Sequence, residues 1–282
     1  MDSKSGPRTY VPFIILSPGR TGSNLLMYYL RANPEVCCFS EVLNTGFEYV
    51  DYGVDGYDNY SAEDLSLRQI NVTAFLRQRI FGEQPEAIRA VGFKAMYQHL
   101  AFVPGSTEEL VSMPDLHVVH SKRQNLLRQF VSFRIAAKTG IWLNPIPAPG
   151  SPSAPSRVAR FGIGPRRITR KLFGQRSRPA ERKAVTITAD ECRVYFQWSR
   201  DLDNEYAERF RAHPVLDVWY EDIVSREQHT LGDVQIFLGV SARPLSTGTQ
   251  RQNPEPLPQL ITNYEELRGA FRDTEYAHFF DE

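Results

Sequence analysis

The sequence is poor in cysteine, in long apolar runs and in net charge. It holds three cysteines in 282 residues, and two of them, Cys37 and Cys38, are adjacent, so they form neither a disulfide framework nor a four-cysteine metal site. Apolar runs such as 13–16 are far shorter than the roughly 20 residues that a membrane-spanning helix needs. Basic and acidic residues balance at 33 each, so the global charge gives no indication of a nucleic-acid partner.

What the chain does contain is enough apolar material for a sizeable core. Hydrophobic residues make up 41% of the sequence, which suits one large domain with appendages. We expect a single domain over 1–282 with an insert at about 143–183. No apolar signal-peptide region follows residues 1–7, and we therefore expect a cytoplasmic protein.

Short apolar runs alternate with helix-forming stretches along most of the chain. The runs that predict strands are 13–16, 36–39, 90–93, 116–120 and 215–219. This alternation predicts an α/β fold, a P-loop-like and mostly parallel sheet with helices on both faces. A long helix opening at 188–191 is expected to place Trp198 and Phe210 in the core.

The first predicted strand runs directly into a loop that is suited to bind an anion. Its sequence is Ser17-Pro18-Gly19-Arg20-Thr21-Gly22-Ser23, and a helical pattern begins with Asn24 and Leu25. Backbone N–H groups and the positive end of a helix dipole converge at such a position, and Arg20 adds a full charge.

The same loop argues against the commonest use of this arrangement. A nucleoside-triphosphate loop has Lys directly before its final hydroxyl residue, whereas here Gly22 precedes Ser23. The strand before Ser121 ends in His120, where an Asp for Mg²⁺ is common. The sequence therefore disfavours metal-dependent phosphoryl transfer, and we expect no metal.

Three charged residues stand just after other predicted strands: Glu41, Lys94 and Arg123. Ligands of open parallel sheets bind beyond the carboxyl ends of the strands, so we expect these residues on one rim with the loop. Taken singly, each could instead be a solvated strand end or a partner in a structural ion pair.

The ordered set of motifs resembles a known family. Residues 17–23 look like the 5′-phosphosulfate loop of sulfotransferases that use 3′-phosphoadenosine 5′-phosphosulfate (PAPS). Residues 121–132 resemble their 3′-phosphate motif, and 39–41, 92–94 and 220–222 match further landmarks in the same order. The resemblance spans most of the chain and is strongest to the bacterial carbohydrate sulfotransferases of the nodulation-factor and sulfated-trehalose type.

This resemblance implies in-line transfer of a sulfuryl group from PAPS to a hydroxyl of a carbohydrate or glycolipid, without a metal. The residues that it assigns to the cofactor are Gly19, Arg20, Thr21, Gly22, Ser23 and Asn24 on the 5′ side, and Arg123 and Ser132 on the 3′-phosphate. Arg20 and Lys94 would stabilise charge on the transferring group, and Glu41 would be the general base, with His99 as the competing candidate. The alternatives are a P-loop nucleotide kinase and a catalytically silent nucleotide-binding scaffold.

A basic segment interrupts this pattern. Residues 157–183 hold ten Lys or Arg and one acid, which leaves 23 basic and 32 acidic residues elsewhere, a net charge of −9. Such a composition is typical of a solvated disordered insert. It also suits a segment that orders over an anionic glycan or lipid head group, or one that contacts a membrane surface.

Overall fold

The computed structural model describes residues 8–142, 183–247 and 252–281, and its centre is a five-stranded sheet. The strands lie in the order β2-β3-β1-β4-β5, and every neighbouring pair is parallel. They are β1 Val11–Ser17, β2 Val36–Phe39, β3 Ala90–Met96, β4 His117–Lys122 and β5 Val215–Trp219. The predicted α/β fold with a parallel sheet is confirmed.

Helices fill the connections between the strands. They are α1 Ser23–Arg31, α2 Ala62–Ile70, α3 Val72–Phe75, α4 Tyr97–Phe102, α5 Ser106–Val111, α6 Leu126–Thr139, α7 Ala189–Arg209, α8 Tyr220–Ser225, α9 Glu227–Phe237, α10 Leu257–Leu260 and α11 Tyr264–Phe271, with a π-helical turn at Leu76–Ile80 and a 3₁₀ turn at Ala277–Phe280. Within the described ranges, no helix is both long enough and apolar enough to cross a membrane.

The central strand shows how the sheet is buried on both faces. Ile14 and Leu16 of β1 belong to one apolar core, and Phe13 and Ile15 belong to a second core. Successive side chains of a strand point to opposite faces, so these two cores cover the two sides of the sheet. This is why β1 is an almost continuous apolar run in the sequence.

The chain divides into two compact units. The first comprises Met1–Gln124 and Arg200–Thr247 and holds the whole sheet, and the second comprises Asn125–Ser199 and Gly248–Glu282. The second unit has a core of its own, which includes Leu127, Phe196 and Phe271. The single domain over 1–282 stays a prediction, and the insert at 143–183 lies, except for Lys183, outside the described residues.

Helix α7 corrects one expectation about the core. Phe210 is fully buried, but Trp198 is 51% exposed and was wrongly assigned to the core. The buried residues Cys192, Phe196 and Tyr206 recur at helical spacing, and Trp198, two positions after Phe196, lies about 200° around the helix from it. Each four-residue step advances about 40° around a helix, so residues spaced by four do not stay on one face. The prediction for Trp198 treated them as if they did.

Candidate active site

The loop between β1 and α1 turns through two residues in the left-handed region. Arg20 has φ 68° and Gly22 has φ 82°. A Cβ on Gly22 would lie 2.5 Å from the Tyr220 ring, so this position requires glycine for space as well as for conformation. Arg20 has a Cβ, and a residue with a side chain in the left-handed region destabilises the fold by about 1–2 kcal/mol. Strain of this kind concentrates at functional sites.

Hydrogen bonds brace the loop against strand β4. The Ser121 hydroxyl lies 3.2 Å from the Thr21 carbonyl and 3.3 Å from Thr21 Oγ1. Thr21 is fully buried, and its hydroxyl also donates to the Pro18 carbonyl at 3.4 Å. The side chain of Thr21 therefore holds the loop in shape, and the role of Thr21 in anion binding stays a prediction.

Arg123 lies beside the same loop. Its Nη1 donates to the Arg20 carbonyl at 3.1 Å, and its guanidinium lies 4.6 Å from the centre of the Tyr220 ring. Glu221 approaches Arg123 Nε at 3.9 Å and accepts from the Gln124 N–H at 3.0 Å. The family landmark at 220–222 thus packs against the turn at Gly22 through Tyr220 and contacts Arg123 through Tyr220 and Glu221.

The topology explains why these two segments meet. Strands β1 and β4 are neighbours, and the chain leaves β1 toward the β2 edge and β4 toward the β5 edge. Connections that leave neighbouring strands in opposite directions open a crevice beyond their carboxyl ends, where ligands of open α/β sheets bind. The Arg20 loop and Arg123 border this crevice.

Ser132, the other half of the predicted 3′-phosphate motif, belongs to the second unit. It lies on α6 with 8% of its surface exposed, and its hydroxyl accepts from the Asn253 amide at 3.4 Å. Arg123 belongs to the first unit. The pairing of Arg123 with Ser132 stays a prediction.

Glu41 and Lys94 form an ion pair at the ends of β2 and β3. Lys94 Nζ lies 2.6 Å from Glu41 Oε1 and 2.7 Å from Asn24 Oδ1, and the lysine side chain is only 3% exposed. Asn24 is the second residue of α1. Lys94 therefore connects the predicted base to the helix that begins at the anion loop, as the shared rim predicted.

His99 and Asn44 complete the surroundings of Glu41. The Asn44 amide donates to Glu41 Oε2 at 2.9 Å, and His99 Nε2 lies 3.8 Å from the same oxygen. His99 is 6% exposed, and its Nδ1 has no hydrogen-bond partner in the structure. Both candidates for the general base thus lie in one cluster.

The electrostatics of this cluster differ from what a general base is expected to need. Burial by itself raises the pKa of Glu41, but the charge of Lys94, with His99 and the hydrogen bonds from Lys94 and Asn44, outweighs burial and lowers the pKa to about 2. The neighbouring cations therefore outweigh burial, and the Glu41 carboxylate is a weaker base than a free glutamate. Burial, together with Lys94 and Arg68 and against the charge of Glu41, lowers the pKa of His99 to about 4, so this imidazole is neutral near pH 7.

Arg68 is the important residue that sequence reasoning missed. It is 3% exposed, and its guanidinium donates to the carbonyls of Val42, Asn44, Tyr49 and Phe47 at 3.0–3.5 Å. These carbonyls belong to the segment that follows Glu41. An arginine in an amphipathic helical pattern is ordinarily solvated, so no local signal distinguishes Arg68 from a surface residue.

His120, which stands where a triphosphate-binding protein often has an Asp, belongs to a buried polar chain. Its Nε2 hydrogen-bonds the Tyr97 hydroxyl, which donates to Asp203 at 2.7 Å, and its Nδ1 lies 3.5 Å from Asp217. Burial and the charge of Asp203 raise the pKa of Tyr97. His120 is 1% exposed and serves in packing the ends of β3, β4 and β5.

The strain at Arg20 allows stability and binding to be separated. We expect Arg20→Gly to keep the free energy of unfolding within about 1 kcal/mol of the parent, since relief of strain offsets the greater freedom of the unfolded chain. Binding of adenosine 3′,5′-bisphosphate, measured calorimetrically, is expected to weaken at least tenfold, because a charge-assisted contact of about 1.5–3 kcal/mol is lost. Arg20→Ala is the matched control and should lose the same affinity while being the less stable variant. Unchanged affinity in both would remove Arg20 from the anion site.

Comparison with known proteins agrees with the motif pattern. No family model matches the chain. It is 26% identical over 272 residues to nodulation protein H of Rhizobium tropici, covering 96% of this chain and 93% of that protein. It is also 26% identical over 276 residues to nodulation protein H of Rhizobium meliloti (strain 1021), covering 96% and 95%. Among solved structures, a sulfotransferase from Alicyclobacillus acidocaldarius aligns with a TM-score of 0.45 and 15% identity over 97% of this chain. Over nearly its whole length the chain is thus similar to the nodulation proteins H, and its ordered motifs are those of a bacterial sulfotransferase.

Proposed function

We propose that this sulfotransferase takes its sulfuryl group from PAPS and transfers it to a hydroxyl of a carbohydrate or glycolipid. The observation that carries the proposal is the Asn24–Lys94–Glu41 chain, with contacts of 2.7 Å and 2.6 Å. It joins a helix N-terminus suited to anions to a carboxylate that is charged and has an oxygen able to take up a proton. Transfer of a group between two oxygens needs both of these in one place.

The donor would lie over the loop and the crevice between β1 and β4. Backbone N–H groups from Gly19 to Asn24, with the side chains of Arg20 and Ser23, suit the 5′-phosphosulfate. Arg123 and Ser132 suit the 3′-phosphate, and a planar guanidinium can contact phosphate through two N–H groups. The donor supplies the sulfuryl group and leaves as adenosine 3′,5′-bisphosphate.

Acceptor activation is the task of Glu41. With a pKa of about 2 the carboxylate is charged at every working pH but is a weak base. Its basicity depends on Lys94, whose ammonium would also stabilise negative charge on the oxygens of the transferring group. As that charge develops, Lys94 interacts less with Glu41, and the carboxylate becomes more basic when the proton must be accepted. His99, neutral and 3.8 Å from Glu41 Oε2, is the alternative base.

The cellular location of the protein and the partners of its basic segment stay predictions. A cytoplasmic location and contact of 157–183 with a membrane surface are among them, and that segment, apart from Lys183, lies outside the described residues. The kinase alternative has no observation in its favour, since the loop lacks the Lys before Ser23 and His120 is engaged in a buried polar chain.

Ligand-induced stabilisation tests the donor assignment. We expect adenosine 3′,5′-bisphosphate to raise the unfolding temperature without Mg²⁺, because a ligand that binds only the folded state stabilises it. Incubation with PAPS and a panel of glycans and glycolipids should then give products heavier by one sulfuryl group in mass spectrometry. Stabilisation by Mg-ATP in preference to the bisphosphate would contradict the proposal. Binding of the bisphosphate with no sulfated product from any acceptor would favour the silent scaffold.

A further inference from the structure

We propose that a sugar ring of the acceptor lies on an aromatic platform formed by Phe47, Tyr49 and Tyr60, beside the carboxylate of Asp51. This inference rests on the proposed function, because it gives the acceptor of the same reaction its binding surface. All four residues lie in the segment between Glu41 and α2.

The platform is a set of adjoining rings. Phe47 and Tyr49 are stacked, with ring centres 4.8 Å apart and planes within 8° of each other. Tyr60 adjoins Tyr49 at 5.4 Å and is 70% exposed, while Phe47 and Tyr49 are half-buried. Buried aromatic pairs belong to cores, but a cluster that reaches such exposure offers ring surface to a ligand.

Backbone hydrogen bonds place the Asp51 end of this segment beside the proposed base, and the Glu41 N–H donates to the Asp51 carboxylate. The Ser40 N–H donates to the Tyr52 carbonyl at 2.8 Å, which places residues 51–52 alongside 40–41. Burial alternates along this stretch: Val50 and Tyr52 are in the core, while Tyr49 and Asp51 are half-buried. The chain turns at Asp51, where the Tyr52 N–H donates back to the Val50 carbonyl at 3.0 Å, and the side chains of Tyr49 and Asp51 both lie outside the core.

Electrostatic coupling agrees with this orientation. Burial raises the pKa of Tyr49, and the charges of Asp51 and Glu41 and the neighbouring Tyr60 raise it further. Burial and the charge of Glu41 likewise raise the pKa of Asp51, against Arg31 and Lys94. The phenol and the two carboxylates therefore act within one another's electric field.

Arg68 makes the platform rigid before any ligand arrives. Its guanidinium donates hydrogen bonds to the carbonyls of Phe47 and Tyr49 at 3.5 Å and 3.3 Å. It also donates to the carbonyls of Val42 and Asn44. A binding surface that is already ordered loses less conformational entropy on binding. The same arginine orders Asn44, which donates to Glu41, so the platform and the base share one support.

The chemistry of the surface suits a pyranose ring. Aromatic faces are negative and attract the weakly positive C–H groups on one face of a sugar. A nearby carboxylate accepts hydrogen bonds from the sugar hydroxyls, and a few placed polar groups beside apolar surface are typical of small-ligand sites. Asp51 and Glu41, whose charges both raise the pKa of Tyr49, supply such carboxylates close to that ring.

Steady-state kinetics with the best sugar acceptor of the wild type tests the role of the rings. We expect Tyr49→Ala to raise the acceptor KM three- to tenfold and Phe47→Ala/Tyr49→Ala to raise it tenfold or more, with kcat within threefold of the wild type. Tyr49→Phe keeps the ring and should stay within twofold. Phe102→Ala, which removes a 72% exposed aromatic on α4, is the matched control and should change neither constant. Binding of adenosine 3′,5′-bisphosphate should be equal in all variants.

Saturation-transfer NMR reads the platform without turnover. The probes are maltose, cellobiose and chitotriose, each with and without adenosine 3′,5′-bisphosphate, and 2-naphthol as a flat aromatic alcohol. We expect transfer to the ring C–H protons of at least one sugar in the wild type and Phe102→Ala, and its loss in Phe47→Ala/Tyr49→Ala. Transfer to none of the sugars, transfer only to 2-naphthol, or equal transfer in the double variant would each overturn the platform. A protein that binds sugar but is not stabilised by the bisphosphate would instead contradict the proposed function.

Discussion

Glu41→Gln is expected to lower kcat by about 10²–10⁴, the usual contribution of a positioned general base. The amide oxygen of glutamine can still accept from Lys94 Nζ, which lies 2.6 Å from Glu41 Oε1, while its NH₂ group replaces the oxygen that accepts from Asn44. What the variant loses is the ability to accept the proton of the acceptor hydroxyl. Single-turnover measurement with PAPS and the best acceptor gives the chemical step, and calorimetry with adenosine 3′,5′-bisphosphate should show unchanged donor-side binding.

Glu48→Gln is the matched control for this experiment. Glu48 is an exposed acid of the same segment, and its neutralisation should leave kcat unchanged. If Glu41→Gln retained full single-turnover rate, the base would be another group. His99→Gln would then be expected to show the loss, since His99 is the other titratable group of the cluster that can accept a proton near pH 7.

Lys94→Met is expected to have the second large effect, on activity and on stability together. Removing a cation that meets developing charge in a buried site typically costs 10²–10³ in kcat. It also leaves Glu41 without its closest charged partner, which costs on the order of 3 kcal/mol at pH 7 for a buried pair. Chemical unfolding at pH 7 and single-turnover kinetics measure the two losses separately.

The stability loss in Lys94→Met should depend on pH with a definite sign. In the wild type the pKa of Glu41 is lowered from 4.5 to about 2, so its contribution to stability is present above about pH 4.5 and is lost as the pH falls toward 2. Without Lys94, burial is the largest influence on Glu41 and raises its pKa above 4.5. The buried charge then destabilises the variant at pH 7, and protonation at pH 4 removes this penalty. The difference in unfolding free energy between the two proteins should therefore shrink from pH 7 to pH 4.

Lys122→Met, which removes the partner of the 45% exposed Asp217 at 2.8 Å, is the control and should show a smaller loss. A difference that is the same at both pH values would show that Lys94 does not set the pKa of Glu41.

The parts of the molecule that could be predicted are those with a local cause. Pro18, Gly19 and Gly22 mark the turn after a buried strand, and the apolar runs mark the strands themselves, so the parallel sheet and its rim followed from neighbours in the sequence.

What could not be predicted depends on contacts between distant segments. The depressed pKa of Glu41 is a balance between burial and a cation 53 positions away in sequence, and neither quantity can be judged from residue types. Arg68 finds its partners 19–26 positions earlier. The strained φ of Arg20 was likewise invisible, because arginine ordinarily avoids the left-handed region.

The way in which Arg68 holds its segment has a consequence for how such a protein can diverge. Each of its four hydrogen bonds ends on a main-chain carbonyl rather than on a side chain. Every amino acid presents the same carbonyl, so replacing Phe47 or Tyr49 leaves this anchor intact. Side chains of the segment can therefore change through evolution, or in an engineered library, while its backbone path beside Glu41 is inherited unchanged. New acceptors can be explored here without rebuilding the loop at Arg20, which we propose binds the donor.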